Sequence, residues 1–219
     1  MRKLQFMKID ILRAGGNKWL FLLFPLLAGF ILLYEKEAQP LFAVLYSMFG
    51  AIIFSSTPFC LERRSNCGFL GMLPAKNGEQ IAGHYLFSLL LTIYDLTAAL
   101  LVITVSRIFR PISFPDTTLF LLIVGFVLLV IGIQNMVLSL VPAESSTNML
   151  TLIRMVPGFA FYYCALSLAN AVKKNPSFFS DIMKLITLPN CIIFFAVSLL
   201  LFFVLMEVSC RAAARRDAA

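Results

Sequence analysis

The chain has 219 residues, of which 60% are hydrophobic and 13% charged, with 22 Phe and a formal charge of +7. Soluble domains run at roughly 45–50% apolar and 25% charged, so this composition excludes an ordinary water-soluble fold and identifies an integral membrane protein. The basic excess lies at the ends of apolar runs, where topology and lipid headgroups account for it, which argues against nucleic acid as a partner.

The opening segment, MRKLQFMKIDILRAGGNK, is patterned. Leu4, Met7 and Ile11 recur at helical spacing with Phe6 and Leu12 beside them, while Arg2, Lys3, Lys8, Asp10 and Arg13 supply a polar surface. This predicts an amphipathic interfacial helix over 1–18 that sits at the lipid headgroups, the plainer alternative being a basic flank to the first span. Apolar runs follow at 19–34, 41–59, 81–105, 117–141, 151–172 and 188–208. Each approaches or exceeds the roughly 18 residues of a membrane-spanning helix, and short charged loops separate them. The expectation is an all-α integral membrane protein with six transmembrane helices over 19–209, including a loop at 60–80, and a basic tail at 210–219. Basic residues precede the first run, but GFILLYEKEAQP offers no small-x-small cleavage site, so that run reads as an uncleaved helix.

Charge sets the orientation. With the N-terminus inside, eleven Lys and Arg (2, 3, 8, 13, 18, 63, 64, 76, 211, 215 and 216) are cytoplasmic and six (36, 107, 110, 173, 174 and 184) are outside, with Arg154 near the inner end of the fifth span. The bias predicts a multi-pass plasma-membrane protein with both termini cytoplasmic. The five cysteines fall in spans or on the cytoplasmic side and show no metal-ligand spacing, so they read as free thiols or small apolar fillers, and no metal site is expected.

The loop FCLERRSNCGFLGMLPAKNGEQIAGHYLF interrupts the oil between the second and third spans. Glu62, Arg63 and Arg64 are followed by an apolar group, Phe69, Leu70, Met72 and Leu73, then Pro74 and a polar turn ending in Glu79. Clustered apolar residues rimmed by charge mark an interaction surface; the alternative is a helix lying on the headgroups. Farther on, Asp95 is an acid deep in the third span. It must face the bundle interior, be paired, or carry a proton, and counting along the helices places Gln134 and Asn135 near its level. A structural, hydrogen-bonded acid and a titrating or substrate-binding acid both remain open. Gly125 and Gly132 would let the fourth span approach a neighbour closely.

No phosphate loop, His-Glu-x-x-His or Ser-His-Asp constellation is present, which excludes a motor or a hydrolase within this chain. A proton-coupled carrier using Asp95 and His84, or a structural membrane subunit, are the alternatives to an ATP-driven transporter.

The order of Glu62, the apolar stretch, Leu73-Pro74, a polar turn, Glu79 and the Gly83-x-Tyr85-Leu86 opening of the third span resembles the permease subunits of type-2 ABC exporters. The likeness extends to the six-span layout and the N-terminal helix, and is closest to the small permeases that export amphipathic or antimicrobial peptides. His84 stands where such loops often carry Lys, and AKNGE replaces their more usual turn. The resemblance implies that the 60–80 loop holds a coupling helix docking in a groove of a cytoplasmic ABC ATPase, with Glu62, Arg63, Arg64, Phe69, Leu70, Met72, Leu73, Pro74, Glu79 and Tyr85 as the coupling residues. It further implies that ATP and Mg²⁺ are bound by that partner, that a second copy or a related permease completes the transporter, and that the cargo is a peptide or lipid-like molecule moved across the bilayer.

Overall fold

The computed structural model describes residues 2–14, 18–34, 40–64, 77–112, 114–141, 147–174, 184 and 186–217. Eight helices organise them: α1 (Arg2–Ala14), α2 (Lys18–Tyr34), α3 (Pro40–Ser55), α4 (Thr57–Arg64), α5 (Asn77–Phe109), α6 (Thr117–Leu140), α7 (Thr147–Lys174) and α8 (Leu188–Asp217). No strand occurs among the described residues. Four stretches, Pro40–Leu61, Asn77–Phe109, Thr117–Leu140 and Leu188–Arg215, are long and apolar enough to cross a membrane, and Phe21–Tyr34 is a shorter apolar helix.

At 33 residues α5 is about 50 Å long, well beyond the roughly 30 Å hydrocarbon core, so it reaches past the acyl region. It is the hub of the bundle: α1, α2, α3 and α8 all lie along it, while α6 packs chiefly on α8, and α7 lies against α3 and α6. Leu32, Val44, Met48, Ile52, Ile103 and Phe202 form the enclosed centre. Close helix contact depends on missing side chains. A Cβ on Gly125 would sit 3.0 Å from the Phe194 ring and one on Gly132 would sit 3.0 Å from Leu205 Cδ1, so both glycines admit α8. The outer face of α8, including Ile192, Ile193, Val197, Leu200 and Val204, is exposed and apolar, as hydrocarbon requires.

Local chemistry explains the helix ends. Asp116 caps α6 by accepting from the Thr118 amide at 2.8 Å, and Val141, which precedes Pro142, is extended because proline disfavours a helical neighbour. At the end of the bundle away from α4, Arg110 Nη1 donates to the Leu32 carbonyl at 3.2 Å in the last turn of α2, and Arg107 lies 4.4 Å over the Phe114 ring.

Two boundaries carry more detail than the expectation. The second apolar run, read as one span over 41–59, lies within the single apolar stretch Pro40–Leu61, whose helix has one turn residue at Ser56, and the continuation α4 carries Glu62, Arg63 and Arg64. The cause is the Ser-Ser-Thr-Pro sequence, whose hydroxyls bond back to the helix and whose proline lacks an N–H. The tail at 210–219 is helical through Asp217 as the end of α8, where Ala212, Ala213 and Ala214 favour helix and terminal arginines suit its negative end.

Candidate functional site

The break between α3 and α4 is the elbow through which the second span leads to the 60–80 loop. Ser55 Oγ donates to the Ile52 carbonyl at 2.9 Å and Ser56 Oγ to the Ile53 carbonyl at 3.0 Å, so the terminal carbonyls of α3 are occupied from within. Helix α4 then restarts at Thr57 with Pro58 in its first turn, where a missing N–H is harmless.

Two polar arms reach this elbow from the rest of the bundle. In the first, Asn135 Nδ2 of α6 donates to Ser88 Oγ of α5 at 2.8 Å. Ser88 Oγ lies 3.0 Å from the Ser55 carbonyl and 2.9 Å from that of His84, so its single proton is shared between the elbow and its own helix. In the second arm, Gln134 Nε2 donates to the Arg154 carbonyl of α7 at 3.1 Å. The Arg154 side chain continues to the elbow: Nε donates to the Ile53 carbonyl at 2.9 Å, Nη2 approaches Thr57 Oγ1 at 3.4 Å, and the guanidinium lies 5.6 Å from the Phe54 ring centre. A planar fork with several donors suits this task, since it can address a backbone carbonyl and a hydroxyl together. Adjacent residues on α6 thus reach opposite sides of the elbow, one through α5 and one through α7.

Gln134 and Asn135 are therefore engaged away from Asp95, contrary to the expected match in level. Asp95 lies mid-helix in α5, whereas Asn135 lies in the last two turns of α6 beside Ser88, seven residues before Asp95 along α5. Asp95 is fully buried, and neither carboxylate oxygen has a hydrogen-bond partner among the described residues.

Tyr85, grouped with the coupling residues by resemblance, is also interior. It is fully buried, its hydroxyl lies 3.2 Å from the Gly132 carbonyl and 3.0 Å from Ser209 Oγ, and its ring meets Phe202 edge-on at 5.4 Å. From there it ties α5 to α6 and α8. Glu79 occupies the first turn of α5, where an acid suits the helix dipole. Phe69, Leu70, Met72, Leu73 and Pro74 lie outside the described residues, as do the side chains of Glu62, Arg63 and Arg64.

Beside the elbow, His84 Nδ1 donates to Asp10 Oδ2 at 2.7 Å, both groups being buried, and the Phe59 ring of α4 sits edge-on to the imidazole at 4.6 Å. Asp10, assigned to the polar surface of the N-terminal helix, is instead on its inner face with Phe6 and Ala14. Sequence reasoning treated His84 chiefly as a possible proton carrier and gave Arg154 no role; the Ser-Ser-Thr-Pro break and a lone Arg in an apolar helix were the available signals.

Between α6 and α7 runs an open apolar groove of about 470 Å³ lined by residues such as Phe126, Val130, Val156, Pro157 and Phe161, with Gln134 among its lining. No cluster that could hold a metal occurs among the described residues. Residues 7–213 match the model of a family described as ABC-2 family transporter protein. No curated protein and no solved structure matches the chain significantly.

Proposed function

The chain belongs to the ABC-2 transporter family and is the multi-pass membrane component of an ABC transporter, and on that premise we propose that it is the permease of an ATP-driven exporter for amphipathic or hydrophobic peptides. Membership in this family implies partnership with ABC ATPase subunits. In the proposed arrangement the chain crosses the membrane six times with both termini in the cytoplasm, and two permeases, identical or related, assemble with two ATPases. ATP and Mg²⁺ reside in those partners. The 60–80 loop docks on an ATPase through Phe69, Leu70, Met72 and Leu73, followed by Pro74, while Glu62, Arg63, Arg64 and Glu79 orient it. Tyr85 contributes from within, by fixing the start of α5 against α6 and α8.

The observation that carries this reading is the elbow. A docking loop is useful only if its displacement is passed to the spans, and α4 leads from the loop to a hinge held by hydrogen bonds from α5 and α7. Closure of the ATPases would pull on α4, rotate α3 about Ser55–Thr57, and carry α6 along through Asn135 and Gln134. The apolar groove between α6 and α7 supports a cargo with a hydrophobic face, which would be shielded while its polar face meets water.

The decisive variant is Leu70→Asp/Leu73→Asp in a chain co-expressed with its ATPase. Desolvating two carboxylates opposes docking, so the permease is expected to insert normally and no longer co-purify with the ATPase. Full association and ATP-dependent transport would remove the loop from the coupling role. A second reading, a proton-coupled carrier, is favoured by one observation, the buried carboxylate of Asp95 with no hydrogen-bond partner among the described residues.

A further inference from the structure

Two polar side chains in the middle of the bundle are enclosed and make no hydrogen bond among the described residues. They are Asp95 of α5, through both carboxylate oxygens, and Ser47 of α3, through its hydroxyl, and both are fully buried. Hydroxyls on membrane helices ordinarily satisfy themselves on their own backbone, as Ser88, Thr92, Thr104 and Ser198 do by donating to the carbonyl four residues back. Ser47 does not, and leaving a buried polar atom unsatisfied is costly.

The helix contacts bring these two groups to one level. Antiparallel α3 and α5 are in register where Ser88 Oγ meets the Ser55 carbonyl at 3.0 Å. Two turns along, seven residues on each helix, that register sets Asp95 opposite Met48, the neighbour of Ser47 in sequence. Both residues also lie on stripes turned toward α2. Ser47 shares its stripe with Gly50 and Phe54, three and seven residues on, which abut the Phe24 and Phe21 rings. Asp95 shares its stripe with Val102, seven residues on, which closes over Gly29. Between those contacts α2 carries Pro25, buried in mid-helix. Proline has no N–H, so the Phe21 carbonyl four residues earlier loses its intrahelical donor. A carboxylate, a hydroxyl and a backbone carbonyl from three helices thus share one depth.

We propose that the Asp95 carboxylate, the Ser47 hydroxyl and the Phe21 carbonyl freed by Pro25 form a binding site for a sodium ion within the bundle. Hard oxygen ligands select a hard cation, and carbonyls released by a helix break can hold one at membrane depth. Charge selects the valence. Among the described residues no cation pairs with Asp95. Helix α3 has no Lys, Arg or His, and Lys18 begins α2 about 10 Å from Pro25 along its axis. On α5, His84 and Arg107 stand about 16 and 18 Å from Asp95 along the axis. One carboxylate therefore balances one positive charge, whereas a divalent ion would leave a buried charge uncompensated. The surrounding Val44, Met48, Ala51 and Ala99 are fully buried, so space is short and the smaller common alkali ion fits better than potassium. A bound ion would tie α2, α3 and α5 together two turns from the elbow. The site asks nothing of the cargo or the ATPase, and it differs from a proton carrier in needing Ser47 and Pro25 as well as Asp95.

The test is equilibrium binding of radioactive sodium to the full chain in phosphatidylcholine nanodiscs, with choline chloride holding ionic strength constant and thermal unfolding measured alongside. Saturable binding is expected, with unfolding shifted upward by sodium and not by choline. Asp95→Asn should abolish both responses while unfolding no lower than wild type in choline, which separates loss of the site from loss of the fold. Ser47→Ala, which removes one neutral ligand, should weaken binding by about tenfold. Pro25→Ala returns an N–H to the Phe21 carbonyl and favours helix, so this variant should be more stable in choline yet bind sodium about tenfold more weakly. No saturable binding by wild type, or unchanged binding by Asp95→Asn, would overturn the site. Affinity within twofold of wild type in both Ser47→Ala and Pro25→Ala would overturn it equally, by removing two of its three ligands. Potassium that competes as well as unlabelled sodium would refute the choice of ion.

Discussion

Replacing Arg154 with Met removes the arm from α7 to the elbow while preserving length and apolar bulk. The bond from Nε to the Ile53 carbonyl at 2.9 Å is charge-assisted and contributes about 1.5–3 kcal/mol. The approach to Thr57 Oγ1 at 3.4 Å contributes little, and the placement over Phe54 about 0.5–1 kcal/mol. Against this loss, Ser56 Oγ still donates to the Ile53 carbonyl, so no acceptor is stranded. Because Arg154 is half-buried, its removal also relieves part of the about 2.5–3.5 kcal/mol that an arginine costs at a membrane-helix centre. The net loss should be about 1–2 kcal/mol, which corresponds to a lowering of Tm by about 2–8 °C for a chain of this size. Coupling should suffer far more than stability: ATP-dependent transport is expected to fall by about tenfold or more, with ATPase association retained, because α3 can then move without α7. Arg154→Lys keeps the charge but offers a point donor in place of a fork, and should fall between Met and wild type. The reasoning is refuted if Arg154→Met transports within twofold of wild type, or if its Tm is unchanged.

Three further outcomes are expected. Ser88→Ala breaks the arm from α6 through α5 and leaves Asn135 Nδ2 without its acceptor; a loss of about 1–3 kcal/mol in unfolding free energy should follow, with little additional loss in Ser88→Ala/Asn135→Leu, as a double-mutant cycle can check. Gly83→Val places side-chain carbon where Phe6 already lies, so α1 should separate from α5 and its N-terminal residues should become sensitive to added protease. Asp95→Leu removes a buried carboxylate that makes no hydrogen bond among the described residues, so stability should be unchanged or higher; retained transport sinks the proton-carrier reading, whereas a folded but inactive variant supports it.

Much of the architecture was legible because hydrocarbon imposes a simple rule: apolar length and intrahelical hydrogen bonding suffice to announce a membrane helix. The spacing of Gly125 and Gly132 likewise announced a close helix contact, since a missing side chain is visible in sequence, although its partner α8 was not. Polar pairing was harder. Asp10 lies one turn from Phe6 and one from Ala14, so it shares their face, yet a carboxylate on that face is stable only because His84, far along the chain, supplies a donor. The expected match of Gln134 and Asn135 with Asp95 was too loose a count: along the runs 81–105 and 117–141 Asp95 is fourteen residues from its end and Asn135 six, and in the fold Asn135 meets Ser88 instead. The elbow was written in Ser-Ser-Thr-Pro and overlooked, because continuous hydrophobicity across 41–59 masks a break made by hydroxyls and a missing N–H.

The most direct test of the account is the distance between spin labels at Leu61 on α4 and Leu140 at the end of α6, measured by pulsed electron resonance in the permease–ATPase complex with the native cysteines replaced. If motor closure is passed through the elbow, trapping the ATPases with ATP and vanadate should shift the distance distribution by more than its width, and the Leu70→Asp/Leu73→Asp variant should show no shift. Superimposable distributions with and without nucleotide, in a complex whose ATPase remains bound and hydrolyses ATP, would contradict it.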